Sequence, residues 1–116
     1  MIGLLGEYEV TLDQKGRFLL PASLKKQVPE EWGNQYVISR GIEQCLTLYP
    51  MKNWEPIMAE IAQLNDFDPK VRQFQRYFLN GATQVEPDSA GRLLIPQTLK
   101  AYAALEKDVV LVARVN

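Results

Sequence analysis

The sequence of 116 residues predicts an α+β fold in which two small β-rich units share one chain and two helices lie between them. Three observations predict it. A segment near the start of the chain recurs near its end, short runs of apolar–polar alternation flank both copies, and helical periodicity fills the interval. The repeat is the strongest of the three. Asp13, Gly16, Arg17, Pro21, Leu24 and Lys25 recur without a gap as Asp88, Gly91, Arg92, Pro96, Leu99 and Lys100.

Tyr8, Val10 and Leu12 alternate with Glu7, Glu9 and Thr11, the period of a half-buried strand over residues 7–12. Asp13-x-x-Gly16 then reads as a type I turn, with Asp suited to its first position and Gly to its last. Such a connection predicts a hairpin to a short strand at 17–20, and the equivalent turn at 88–92 leads to a strand at 92–95. Pro21 and Pro96 suit the first turn of a short helix, where a missing N–H costs nothing. Lys25 and Lys100 fall near the ends of those helices, where cations oppose the dipole.

Strands are expected at 36–39 and 45–49. Cys45 opens the second in an apolar run and is expected to be a buried free thiol. A helix over 51–64 puts Trp54, Ile57, Met58, Ile61 and Leu64 on one face, with Pro56 tolerated if near the first turn. A second helix starts with Asp68 as N-cap and Pro69 behind it, lines up Val71, Phe74 and Phe78, and stops at Asn80-Gly81. Trp54, Phe74 and Phe78 are expected in the core. A last strand at 109–113 matches 36–39, with Arg114 answering Arg40. The order is ββα-ββ-αα-ββα-β. Residues 1–50 form the first unit, 51–81 the helical connection and 82–116 the second unit. The second unit lacks equivalents of 45–49 and 51–64, so a C-terminally shortened form of a longer protein is expected.

Composition narrows the function. Hydrophobic residues make up 47% and charged residues 23%, as in an ordinary globular protein. The chain has no histidine, which removes the commonest general base and metal ligand, and no carboxylate pair stands out. An enzyme, a metal site and a cofactor are therefore not expected, and there is no small-molecule substrate to name. No apolar run spans a bilayer, the start lacks a signal-peptide pattern, and the lone cysteine fits a reducing compartment, so a cytoplasmic protein is expected. The net charge of −1 is unevenly spread. Lys15, Arg17, Lys25 and Lys26 face a single acid, Asp13, between residues 13 and 26. Lys70, Arg72 and Arg76 make a second cluster, read as the solvated face of its helix.

Gly6-Glu7-Tyr8, the two Asp-x-x-x-Arg turns, Leu48-Tyr49-Pro50 followed by Trp54-Glu55, and Leu105-Glu106-Lys107-Asp108-Val109 together resemble the MraZ family over essentially the whole chain. The resemblance implies that each repeat folds like half of an AbrB-type swapped-hairpin barrel, so that one chain imitates a dimer. It implies a homo-oligomeric ring, an octamer or larger, that binds double-stranded DNA at G-rich direct repeats upstream of the division and cell-wall gene cluster. A nucleoid-associated transcriptional regulator follows, repressor or activator. The sequence departs from the family by stopping before a last strand and terminal helix. The alternative is an AbrB-like antitoxin or protein-interaction module.

The turn residues suit DNA reading. Arginine contacts guanine O6 and N7 bidentately, which makes Arg17 and Arg92 candidate base readers; the competing role is an ion pair with Asp13 and Asp88 that braces the turn. Lys15 suits a phosphate or a second guanine, and Gln14 a base edge or a phosphate. Lys25 and Lys26 are phosphate contacts or solvated caps. Asp13 and Asp88 close the turns, and Gly16 and Gly91 meet backbone demands. Ser89 and Ala90 replace Gln14 and Lys15, so the second turn is the weaker reader.

Overall fold

Alternation of Tyr8 and Val10 with Glu7, Glu9 and Thr11 yields strand β1 (Glu7–Thr11), half-buried on one side and exposed on the other. The computed structural model describes residues 6–41 and 45–112, and the rest of the protein follows in this order. Strand β2 (Arg17–Leu19), helix α1 (Ala22–Lys25), a 3₁₀ turn (Glu30–Trp32), and strands β3 (Tyr36–Arg40) and β4 (Leu46–Pro50) complete the first half. Helices α2 (Met51–Ala62) and α3 (Pro69–Asn80) lead to β5 (Thr83–Val85), β6 (Arg92–Leu94), α4 (Gln97–Tyr102) and β7 (Asp108–Val112). Ala113 and Arg114, assigned to the last strand and its repeat match, lie outside the described residues.

The strands pair antiparallel in three separate sheets, β1–β7, β2–β6 and β4–β3–β5, which do not close into one barrel among the described residues. The expected hairpins are corrected here. Each turn forms, but the strands it joins pair elsewhere: β1 with β7, and β2 with its own repeat equivalent β6. Side-chain matching favours this exchange. Tyr8 stands opposite Leu111 and Val10 opposite Val109, apolar cross-strand pairs that both face the core. Strand β5, the equivalent of β1, pairs reciprocally with β3.

Leu12, Phe18, Leu20, Leu24, Tyr36, Ile38, Leu93, Ile95 and Leu99 form one buried cluster. Phe18 and Leu93, Leu20 and Ile95, and Leu24 and Leu99 are repeat equivalents, so both copies feed the same core. Burying one such side chain contributes about 1.5–3 kcal/mol, which makes the shared cluster the main reason the halves stay together.

Local expectations hold with adjustments. Asp68 caps α3 by accepting from Lys70 N at 2.9 Å, and Pro69 occupies the first turn. Pro21 and Pro96 stand one position earlier than expected, as extended N-cap residues (φ −56° and −55°), which the proline ring also suits. Helix α2 stops at Ala62 rather than at residue 64, and Pro56 lies past its first turn on the exposed side. Trp54 is buried, stacked at 5.5 Å on Phe78, but Met58, Leu64 and Phe74 are exposed rather than in the core. Gly81 ends α3 in a right-handed conformation (φ −84°). Cys45 is exposed, not buried: it precedes the β4 ladder, where its carbonyl accepts from Gly41 N at 2.9 Å. No helix of the described residues is long and apolar enough to cross a membrane.

Candidate nucleic-acid interface

Both turns are built the same way. Asp13 N donates to Arg17 O at 2.9 Å, and Gly16 N donates to Asp13 O at 3.0 Å. The Asp13 carboxylate organises the rest: Oδ1 accepts from Lys15 N and Arg17 N, each at 2.9 Å, and Oδ2 accepts from Arg17 Nε at 2.7 Å. In the second turn Asp88 Oδ1 accepts from Ala90 N and Arg92 N at 2.9 Å, and Oδ2 from Arg92 Nε at 3.0 Å. Gly16 and Gly91 take φ +86° and +81°, the left-handed region that lets the chain leave the turn as a strand. The reason for Asp-x-x-Gly-Arg is now physical. The carboxylate satisfies two turn N–H groups and clamps the arginine, and the glycine supplies the bend.

The second level of organisation joins the turns. The β2–β6 register sets Arg17 opposite Leu94 and Leu19 opposite Arg92. Phe18 and Leu93 point into the core, so Arg17, Leu19, Arg92 and Leu94 share the outer face of this two-stranded ribbon. There Arg92 Nη1 lies 3.7 Å from Asp13 Oδ2, so Asp13 faces both arginines. The Asp13 pKa falls from 3.8 to about 2, first through the backbone hydrogen bond from Arg17, then through its side-chain hydrogen bond, the Lys15 N–H and the Arg17 charge, against a desolvation that raises it. The Asp88 pKa is also lowered, chiefly by the backbone N–H of Arg92.

The bracing role foreseen for Arg17 and Arg92 is therefore real, and it does not use up the side chains. In each arginine the Asp of its own turn engages Nε. The two Nη groups of Arg17 have no hydrogen-bond partner among the described residues. Gln14 and Lys15 are exposed at the tip of the first turn, and Ser89 and Ala90 at the second. Lys25 is exposed on the last turn of α1 and takes no part in the hydrogen-bonded group. Sequence reading missed two features. Asp13 bridges the turns, and Lys100, in α4, lies over the first turn: a Cβ at Gly16 would stand 3.7 Å from Lys100 Cδ and 3.5 Å from Ile95 O. Only the pairing of β2 with β6 produces either contact. No group of acidic or cysteine side chains able to hold a metal ion occurs among the described residues.

Comparison with known proteins follows the same repeat. The family model described as MraZ protein, antitoxin-like, matches residues 4–77 and again 78–116. The transcriptional regulator MraZ of Cytophaga hutchinsonii is 44% identical over 111 residues, covering 96% of this chain and 74% of that protein. That of Christiangramia forsetii is 44% identical over 117 residues (100% and 76%), and that of Thermomicrobium roseum 42% over 108 residues (93% and 73%). A solution structure of PHS018 from Pyrococcus horikoshii covers 97% of this chain and 96% of its own at 13% identity, with a TM-score of 0.40, a likeness that carries no argument.

Proposed function

The chain belongs to the MraZ family, and from that premise we propose that it is a sequence-specific DNA-binding transcriptional regulator rather than an enzyme. One observation carries the reading. Two arginines stand on one face of a two-stranded ribbon, each held at Nε by a carboxylate of its own turn. A major groove admits a two-stranded ribbon, and guanine offers O6 and N7 to the paired Nη groups of an arginine. Fixing Nε in advance orients those donors and lowers the ordering cost of binding. Lys15, Gln14 and Lys25 contact phosphates and flanking edges, and the first turn reads more strongly than the second because Lys15 has no counterpart at Ala90.

The target is double-stranded DNA with G-rich direct repeats upstream of the division and cell-wall gene cluster, in a cytoplasmic, nucleoid-associated setting. The two units, 1–50 and 82–116, act as a swapped-hairpin pseudo-dimer joined by 51–81, and copies assemble into a ring. Assembly answers an energetic need. One pair of turns makes too few polar contacts for a specific affinity of about 10⁻⁸ M, whereas linking several in one particle adds about 10²–10⁴-fold. Fluorescence anisotropy with a G-rich tandem duplex and a scrambled duplex, at two salt concentrations, tests the proposal. Preference for the G-rich duplex at the higher salt supports it; equal binding to both, or none to either, refutes it and leaves the protein-interaction module.

A further inference from the structure

A second basic site lies apart from the turns, at the end of β3 and along α3. Arg40, at the end of β3, joins Arg72 and Arg76 of α3 in lining a cavity of about 570 Å³, whose walls carry no carboxylate side chain. Arg40 is deeply committed there. Its guanidinium lies 5.5 Å from the ring centre of Tyr77 and 5.4 Å from that of Tyr102, and Nη1 donates to Tyr77 O at 3.3 Å. The two tyrosine hydroxyls hydrogen-bond to each other, and that of Tyr77 also donates to Gly41 O at 3.1 Å, which fixes the rings. Gly81 makes room for the arginine: a Cβ there would come within 3.1 Å of Arg40 Nε. Yet that Nε is buried with no hydrogen-bond partner. Arg72 Nη1 donates to Asp66 O at 2.8 Å, and Arg76 has no hydrogen bond or ion pair among the described residues.

Three arginines thus line one cavity with no carboxylate side chain among its walls. Like charges gathered on one wall repel, and the ring and carbonyl contacts that hold Arg40 do not neutralise them. An oxyanion does. Phosphate, with several acceptor oxygens and up to two charges, matches a set of guanidinium forks better than a single carboxylate. We propose that the Arg40–Arg72–Arg76 cavity is a binding site for a phosphate group, carried either by the DNA backbone or by a free phosphate compound.

The test follows the arginine Nε–H resonances by NMR as sodium phosphate replaces sodium chloride at constant ionic strength. In the wild-type protein the Arg40 signal shifts and saturates. Arg72→Gln and Arg76→Gln, both solvent-facing and checked for folding by circular dichroism, each weaken that response about tenfold or more. A duplex arm identifies the source. If each substitution lowers the log–log salt slope of DNA binding by about 1, the phosphate is that of DNA. An unchanged slope with a phosphate response assigns a free compound. An Arg40 signal that moves with neither inorganic phosphate nor duplex overturns the proposal. So does a double variant that titrates like wild type, or one that loses only self-association, which would give the arginines to carboxylates of a neighbouring copy.

Discussion

Asp13 Oδ2 stands 2.7 Å from Arg17 Nε in its own turn and 3.7 Å from Arg92 Nη1 of the other repeat. Asp88 makes the first kind of contact with Arg92 but, among the described residues, forms no ion pair with Arg17. The two repeats are thus unequal at the atom that matters most. Asp13→Asn is expected to lower both the melting temperature and DNA affinity, and Asp88→Asn to lower them less. Paired thermal melts and anisotropy titrations measure the difference; equal losses would remove the bridging role.

Arg17→Ala removes the side chain proposed to read a base and is expected to cost about 1–3 kcal/mol of specific binding while circular dichroism stays unchanged. Arg17→Lys is expected not to rescue, because lysine has no planar pair of donors and no Nε for Asp13 to hold. Lys15→Ala should weaken binding more than Ser89→Ala. Anisotropy on one duplex for all three variants gives the ranking.

Acid sensitivity follows from the lowered pKa of Asp13, about 2 against 3.8 unfolded. A depressed folded pKa contributes stability that is complete above the unfolded value and disappears as pH falls through the folded one. The contribution is therefore expected to fade between pH of about 4 and about 2. Asp13→Asn should flatten that part of the stability profile, as read from urea midpoints. Asp88, shifted the same way, adds to the same acid limb.

Gly16→Ala and Gly91→Ala place a Cβ on left-handed backbone, at an expected cost of about 1–2 kcal/mol each. Space is not the obstacle. The nearest atoms, Ile95 O at 3.5 Å for Gly16 and Leu19 Cδ1 at 3.5 Å for Gly91, are at ordinary contact distance. Similar denaturation losses for both would show that backbone strain, and not crowding, sets the requirement.

Tandem recognition has its own signature. Affinity should rise steeply from one box to two and again to three, and fall when two boxes are offset by half a helical turn, since boxes on one face recur about every 10–10.5 bp. One box binding as tightly as three would mean that each subunit reads alone.

The turns were legible in the sequence because their chemistry is local: Asp13, Gly16 and Arg17 bond mainly within four residues of one another. Strand partners were not. Alternation in 7–12 reveals which side chains face inward, but Tyr8 and Val10 suit any apolar strand equally, and β7 is chosen only when the whole core assembles. Cys45 misled for a related reason. Its apolar neighbours suggested burial, while its place just before the first β4 pair left it outside. Arg40 could not be grouped with Arg72 and Arg76 from the sequence because β3 and α3 meet only in the folded chain.

Thr11 pairs with Asp108, and Arg17 with Leu94, so the chain must leave the ribosome through residue 108 for the first strand and residue 94 for the second before each finds its neighbour. Until then β1 presents an open edge to every other nascent chain nearby. Non-local pairing of this kind makes folding slow relative to a helical protein of the same length. A messenger cut short ahead of codon 108 would therefore yield a product with a permanently unsatisfied first strand, a substrate for chaperones and proteases.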